Sequence, residues 1–339
     1  MPCKMKKTLL SLSILAILFA SCEKVSPIGV LVAGTAVEDR VKMSNLFYLN
    51  HYNDKVYLVA EGDYSFIVGA DSHLTTDPGR MDEMLAIGLE HGDLFYAHLG
   101  DIADTKAEYY VTLDSLIQEA KVRYVEAKFR QVDEFQYAHK DDTDEYPGLF
   151  TYDEIVYPFF PVVGNHDITH NGWALWSNIF HSSFYEIDVI VIQDSGEIAF
   201  DHLIFLDSAS GTLGKTQIDL ISQGVLDGKY SDGTSIYRNT FVFTHTNIFR
   251  PQFFEFASTF TREENMFLLD QFNKWNVTCV FCGHVHTWDE RDFNGVHYLT
   301  LESMCEKENP DEGDYLIRVD AKADGGVSWS PVHMSSAKK

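Results

Sequence analysis

The sequence predicts an α/β fold built around a largely parallel, buried sheet. Apolar runs of strand length alternate with segments of helical periodicity along most of the 339-residue chain. This alternation is typical of βαβ units, in which a helix crosses over between parallel strands. Polar residues that can do chemistry stand directly after several of the apolar runs, as they do in α/β enzymes. Six runs are predicted to be strands: 64–70, 93–100, 159–164, 203–207, 240–245 and 277–283.

Helical segments fall between these runs and supply the crossovers that a parallel sheet requires. They are predicted at 81–90, 113–135, 213–225 and 262–275. After Trp288 the apolar runs are short and separated by turns, at 295–302, 315–321 and 327–333. We expect these last runs to add antiparallel strands to the sheet.

A long insertion, residues 105–160, separates the second and third predicted strands and is rich in Tyr, Lys and Glu. A pair of helices packed on the sheet is the favoured interpretation, and a lid over a substrate site is the alternative. Its polar stretch 139–148 is interpreted as a solvated loop.

The first residues resemble an export signal. Three lysines precede an apolar run, residues 9–20, which is too short to span a bilayer comfortably. Ala20 and Ser21 then lead to Cys22, a pattern similar to that of bacterial lipoprotein signals, in which the cysteine carries the lipid. The alternative is an ordinary secretory leader.

The chain is therefore divided into a signal peptide at 1–21, an N-terminal β extension at 22–60 and one large domain at 61–339. We expect an exported lipoprotein that is anchored to a membrane through lipid on Cys22. It would face the periplasm or the cell surface.

Acidic residues outnumber basic ones by 51 to 26, which gives a net charge of -25. This balance argues against non-specific binding to nucleic acid or to an anionic membrane surface, because both are polyanions. It leaves open a small phosphate ester as substrate, since the field inside a pocket can differ from that of the whole surface.

Three cysteines lie beyond Cys22: Cys279, Cys282 and Cys305. The first two have CxxC spacing, which can indicate redox chemistry or zinc binding. They lie within an apolar run, however, and residues three apart on a strand point to opposite faces. We therefore predict small core residues, and a disulfide to Cys305 stays open.

Five of the predicted strands end in residues that can bind metal ions. Carboxyl ends of strands are where α/β sheets bind ligands, so we expect these side chains to converge. They offer carboxylate, amide and imidazole groups and no thiolate, a mixture that suits Mn, Zn or Fe. Two ions about 3.5–4 Å apart would need such a set. The candidate ligands are Asp71, His73, Asp101, Asn165, His245, His284 and His286.

These motifs read D-x-H, GDxxD, GNHD, a single His and GHVH, and in this order they resemble the calcineurin-like metallophosphoesterase family. The stretch 206–221, an aspartate-ended strand followed by a helix with Gln, is also similar. The resemblance covers about 66–288. It implies a four-layer αββα sandwich of two mixed sheets flanked by helices, with two divalent metal ions at the strand ends.

The resemblance also implies a role for each residue. Asp71, His73 and His286 would bind the first metal, Asp101 would bridge, and Asn165, His245 and His284 would bind the second. His166 would act as general acid, and Asp104 would orient it. Asp167 would either share that orienting role or cap a turn.

The implied function is hydrolysis of a phosphate ester by in-line attack of a metal-activated hydroxide. Phosphomonoesterase and phosphodiesterase versions both remain open. A non-catalytic surface binding protein that retained the scaffold is the alternative. Residues that could line a substrate pocket are His170, Trp173, Trp176, His181, Phe249, Phe253 and Phe254.

Overall fold

The computed structural model describes residues 35–47, 57–138, 157–224, 226–229, 233–249 and 260–337. Within them the chain forms two β-sheets that pack face to face, with helices on both outer faces. The predicted four-layer αββα sandwich of mixed sheets is confirmed. The strands are β1 (Tyr57–Glu61), β2 (Tyr64–Gly69), β3 (Phe95–His98), β4 (Phe159–Pro161), β5 (Tyr185–Ile192), β6 (Ile198–Leu206), β7 (Asn239–Thr244), β8 (Cys279–Cys282), β9 (Asp289–Phe293), β10 (Val296–Thr300), β11 (Gly313–Ala321) and β12 (Val327–Met334).

The larger sheet has the strand order β1-β5-β6-β7-β8-β10-β9, and the smaller has β12-β11-β2-β3-β4. Strands β6, β7, β8 and β10 run parallel to one another, as do β2, β3 and β4. The remaining pairs are antiparallel, except that β1 runs parallel to β5.

Phenylalanine side chains fill the space between the sheets. Phe66 stacks on Phe95 with ring centroids 4.4 Å apart, and Phe243 stacks on both Phe205 and Phe281 at 4.5 and 5.1 Å. All five rings are fully buried. Because successive side chains of a strand alternate between faces, Ile67 points to the helices while Phe66 points to the opposite sheet.

In the described ranges, three helices cover each outer face. The smaller sheet is covered by α2 (Gly79–His91), α3 (Ala107–Ala138) and α5 (Trp173–Phe180), and the larger by α1 (Val37–Phe47), α6 (Gly214–Ser222) and α7 (Arg262–Trp275). A short helix, α4 (Asn165–Ile168), follows β4. Helix α7 shows how local sequence sets these boundaries: Thr261 caps its first turn by accepting from Glu264 N at 3.2 Å.

The N-terminal segment differs from its prediction. Residues 22–60 are predicted to form a β extension, but in the part that the structure describes, 35–47 and 57–60, Val37–Phe47 is a helix and the strand β1 begins at Tyr57. Val37 and Val41 stand four residues apart, so they share one helical face, and both are buried against the larger sheet. Residues 1–34, including the predicted signal peptide and Cys22, lie outside the described residues.

Other differences are smaller. The described part of the 105–160 insertion contains the long helix α3, whose buried residues pack on the smaller sheet. The predicted loop 139–148 and any second helix of the predicted pair lie outside the described residues. Strand β5 is not among the strands predicted from the sequence. Strand β10 pairs in parallel with β8 and antiparallel only with β9, so the expectation of purely antiparallel additions was wrong there.

The cysteines behave as predicted. Cys279, Cys282 and Cys305 are buried and form no disulfide among the described residues. Cys279 faces the core between the sheets, whereas Cys282 faces the helices. Burial raises the pKa of the Cys282 thiol to about 12, which keeps it protonated and unreactive near neutral pH. In the described part of the chain, no helix has both the length and the apolar character needed to cross a membrane.

Candidate metal centre

The predicted ligands lie on loops at the carboxyl ends of strands from both sheets. Strands β2, β3 and β4 lead to Asp71, Asp101 and Asn165, and strands β7 and β8 lead to His245 and His284. Backbone hydrogen bonds tie neighbouring loops together. Asp71 N donates to Gly100 O at 3.1 Å, and Gly283 N donates to His245 O at 3.1 Å.

Several of these residues have unusual backbone conformations. Asp71, His73, Asp101, His284 and His286 all have positive φ, between 43° and 72°. Residues with a Cβ rarely adopt this left-handed region, and such strain is concentrated at functional sites.

Gly164, just before Asn165, permits another close approach between loops. A Cβ at that position would overlap the backbone N and the carboxylate of Asp101. Glycine is therefore required there for the third motif loop to reach the second.

The first group of candidate ligands is Asp71, His73 and His286, whose ligand atoms lie within 4.8 Å of one another. His286 Nε2 is 3.3 Å from Asp71 Oδ1. His73 Nε2 is buried and has no hydrogen-bond partner among the described residues. An imidazole nitrogen in this position can serve a bound cation, because burial without any partner is costly.

The second group gathers around His245 Nε2. This atom lies 2.9 Å from Asn165 Oδ1, 3.0 Å from His284 Nδ1 and 3.4 Å from Asp101 Oδ2. The other ring nitrogen of His245, Nδ1, is 2.7 Å from the carbonyl oxygen of Leu99. Because a carbonyl oxygen can only accept, Nδ1–H donates to it and Nε2 is the nitrogen that faces the cluster, which is how proteins orient histidine ligands.

The electrostatics of both groups favour a cation. Burial alone would lower the pKa of His245, but the Asp101 carboxylate raises it to about 9. Burial likewise opposes a charged His286, yet its contact with Asp71 raises that pKa to about 9. His284 differs, because burial and the nearby His245 lower its pKa to about 4. In the metal-free protein, protons thus partly balance the charge of two buried carboxylates.

His166 and Asp104 form a third contact at the edge of the cluster. His166 Nδ1 lies 3.1 Å from Asp104 Oδ1, and His73 Nδ1 lies 3.5 Å from the same oxygen. The His166 side chain is 49% exposed, so a small molecule can reach its ring. Its backbone N donates to Asp101 Oδ1 at 2.7 Å, which fixes the loop beside the second group.

The side chain of Asp167 holds two neighbouring loops together by accepting hydrogen bonds from their backbone. The structure records no contact between this side chain and the His166 ring. Its buried carboxylate accepts from the backbone N of Asp101 and Gly164, both at 2.8 Å. It also accepts from the N–H groups of Ile102 and Ala103 at 3.1 and 3.2 Å. Of the two roles left open by the sequence, the geometry supports the structural one.

Sequence reasoning missed several groups that contact the ligand residues, among them Ser208 and Glu308. Ser208 Oγ accepts from the backbone N of His245 and Thr246 at 3.1 and 2.9 Å. Glu308 Oε2 lies 2.6 Å from His286 Nδ1. Ser208 lies within the 206–221 stretch that resembles the family, so a signal existed there. Glu308 belongs to no motif, and nothing in the sequence indicates it.

The aromatic residues considered for a pocket lie elsewhere. Trp173 and Trp176 are buried in the core beneath α5, and Phe249 packs on Tyr298 with ring centroids 4.9 Å apart.

His181 lines a cavity of about 350 Å³ to which none of the candidate ligands contributes. His170 belongs to none of the described clusters of candidate ligands. Phe253 and Phe254 fall outside the described residues.

No family model matches this sequence, and no curated protein matches it. Among solved structures, the chain is similar to GAP50, the anchor in the inner membrane complex of Plasmodium. The two share 11% identity with a TM-score of 0.53, over 82% of this chain and 90% of that one. At this identity the similarity shows a shared fold.

Two further structures are similar at lower scores. A dimetal phosphatase from Danio rerio has 12% identity and a TM-score of 0.43, over 81% of this chain and 100% of that one. A putative 5′-nucleotidase from Staphylococcus aureus has 13% identity and a TM-score of 0.40. That match covers 82% of this chain and 55% of the nucleotidase chain. The chemistry of this chain therefore has to be argued from its own residues.

Proposed function

We propose that this protein is a metal-dependent phosphoesterase of the calcineurin-like metallophosphoesterase family. The observation that carries the proposal is the convergence of acceptor atoms on His245 Nε2. Asn165 Oδ1, His284 Nδ1 and Asp101 Oδ2 all lie within 3.4 Å of it. A bound cation would satisfy such a cluster better than protons can, because lone pairs that converge on one point otherwise repel one another.

Two divalent ions are proposed. Asp71, His73 and His286 would hold the first, and Asn165, His245 and His284 would hold the second, with Asp101 as the bridge. The fit rests on the buried His73 Nε2, which has no hydrogen-bond partner in the part of the chain that the structure describes, and on the oriented ring of His245. The nitrogen and oxygen donors suit Mn, Zn or Fe.

The residues around the ligands supply the rest of the chemistry. Bound divalent cations would polarise the phosphoryl oxygens and acidify a water molecule. His166 would donate a proton to the leaving oxygen from its exposed ring, since Asp104 holds Nδ1 and leaves Nε2 for the substrate. Asp104 also faces His73, so one carboxylate would position both the acid and a ligand.

The proposed substrate is a small phosphate ester, either a monoester or a diester. The net charge of -25 supports a small substrate over a nucleic acid, because the surface as a whole repels polyanions.

A non-catalytic binding protein on the same scaffold is the second candidate. It is favoured by one observation, the shared fold with a Plasmodium protein that is described as an anchor. The complete set of candidate ligands favours the enzyme, because a protein without catalysis has no need of them all.

The test compares turnover by the wild-type full chain and by His166→Ala, with added Mn²⁺. The substrates are p-nitrophenyl phosphate and bis-p-nitrophenyl phosphate, and His333→Ala, an exposed histidine on β12, is the control. We expect hydrolysis of at least one ester, and a loss of about 10²–10⁴-fold in kcat for His166→Ala with its metal content retained.

Two results would count against the enzyme. Metal-loaded wild-type protein that hydrolyses neither ester would favour the binding protein. Unchanged turnover by His166→Ala would remove that histidine from the reaction.

A further inference from the structure

We infer that Glu308 is a positioning residue that sets the metal affinity of the first ligand group through His286. The inference rests on the proposed function and concerns a residue outside every motif. Glu308 Oε2 lies 2.6 Å from His286 Nδ1, and the opposite ring nitrogen, Nε2, faces Asp71 Oδ1 at 3.3 Å.

The geometry assigns opposite tasks to the two ring nitrogens. A neutral imidazole carries its proton on one nitrogen and a lone pair on the other. The adjacent Glu308 carboxylate can only accept, so it keeps a proton on Nδ1 and leaves Nε2 to face the position beside Asp71 where a cation would bind. A hydrogen-bonded carboxylate also increases the basicity of the ring and strengthens its bond to a metal.

The loop that carries Glu308, residues 303–309, is fixed to the site. Ser303 Oγ donates to Asp71 O at 2.9 Å, and Met304 N donates to Ala70 O at 3.0 Å. Asn309 Nδ2 closes the loop by donating to Ser303 O at 2.8 Å. The loop is thus anchored to the turn that carries Asp71, so Glu308 is held near His286 although 46% of its side chain is exposed.

The two ligand groups differ in what lies behind their histidines. His245 in the second group faces a neutral backbone carbonyl, that of Leu99, whereas His286 in the first group faces a carboxylate. Removing Glu308 should therefore weaken binding in the first group alone. A residue that mattered only for folding would weaken both groups together.

The experiment measures Mn²⁺ binding to the full chain by calorimetry and by electron paramagnetic resonance. The variants are Glu308→Ala and Glu308→Gln, and Glu312→Gln is the control. Glu312 carries the same charge, is 71% exposed and lies near the end of the same connection. The melting temperature of each metal-free variant is measured in parallel.

We expect Glu308→Ala to weaken one of two Mn²⁺ binding steps by about 10–100-fold and to leave the other unchanged. At limiting Mn²⁺, the electron paramagnetic resonance spectrum of Glu308→Ala should show single ions, whereas that of the wild type should show a coupled pair. Glu308→Gln should lose less affinity, because its amide oxygen still accepts the hydrogen bond. Glu312→Gln should bind as the wild type does.

Wild-type protein that binds two ions, with Glu308→Ala unchanged, would overturn this inference alone. Equal weakening of both steps with a lower melting temperature would also overturn it, since that pattern indicates a folding role. Wild-type protein that binds no Mn²⁺ would overturn the proposed function and this inference with it.

Discussion

Asp167 is a single residue on which the shape of the site depends. Its carboxylate is completely buried and accepts four backbone N–H groups, three from the turn at Asp101 and one from Gly164. The hydroxyl of Tyr110 on α3 lies 3.3 Å away and adds a fifth donor. Buried N–H groups need partners, so this carboxylate compensates the cost of two tight loops at once.

We predict that Asp167→Asn destabilises the fold by about 3 kcal/mol. Each carboxylate oxygen accepts two backbone N–H groups, and in asparagine one oxygen is replaced by an NH₂ group that cannot accept them. Urea unfolding measures the change. Asp270→Asn, which alters an exposed ion pair with Lys274, should shift stability by less than about 0.5 kcal/mol. An Asp167→Asn protein as stable as the wild type would refute the capping role.

At the residue scale, the sequence predicts which side chains meet but not what supports them. Motif loops that follow parallel strands of one sheet meet at the same edge of that sheet, so convergence within each sheet is predicted by position alone. The contacts of Asp167, Ser208 and Glu308 depend on how loops from distant parts of the chain meet. The sequence motifs include Ser208 and Asp167 without indicating which atoms they contact, and Glu308 belongs to no motif.

At the scale of elements, helix α1 packs on the larger sheet although it lies N-terminal to the predicted domain. Arg40 of this helix is fully buried and makes a bidentate pair with Asp207, at 2.8 Å for both bonds. Ser44 Oγ accepts from Ser183 N at 2.8 Å. The helix therefore belongs to the same folded unit as the site, although the predicted domain begins at residue 61.

Arg40→Ala should destabilise the protein by about 3–5 kcal/mol, because it leaves the Asp207 carboxylate buried without its partner. Denaturant unfolding of the full chain tests this expectation. Arg291→Ala, which removes an exposed pair with Asp289, provides the comparison and should cost about 0.5 kcal/mol or less. Equal stability of the two variants would show that α1 is dispensable.

The accuracy of the predicted elements follows their length and pattern. Helix α7 and strand β2 were predicted nearly to their ends because each has clear periodicity and a clear boundary. Helix α1 is short, and among its residues of described burial, 37–44, the buried apolar side chains are Val37 and Val41. Strand β5 is rich in Ile and Val, so its signal was present, but no chemical motif marks its end.

For the whole molecule, the site depends on the packing of one sheet against the other. Asp71, Asp101 and Asn165 follow strands of the smaller sheet, whereas His245 and His284 follow strands of the larger. Neither sheet alone carries all the candidate ligands of the second group. The fold class was predictable from alternation and motifs, but the relative placement of the sheets is set by the packing of the phenylalanine core. Metal binding should therefore be coupled to folding.

The most direct measurement is the metal content of the purified full chain after equilibration with Mn²⁺, Zn²⁺ or Fe²⁺ and removal of free ions. The proposed centre predicts two ions per chain for at least one of these metals. Fewer than one ion per chain with all three metals would contradict it.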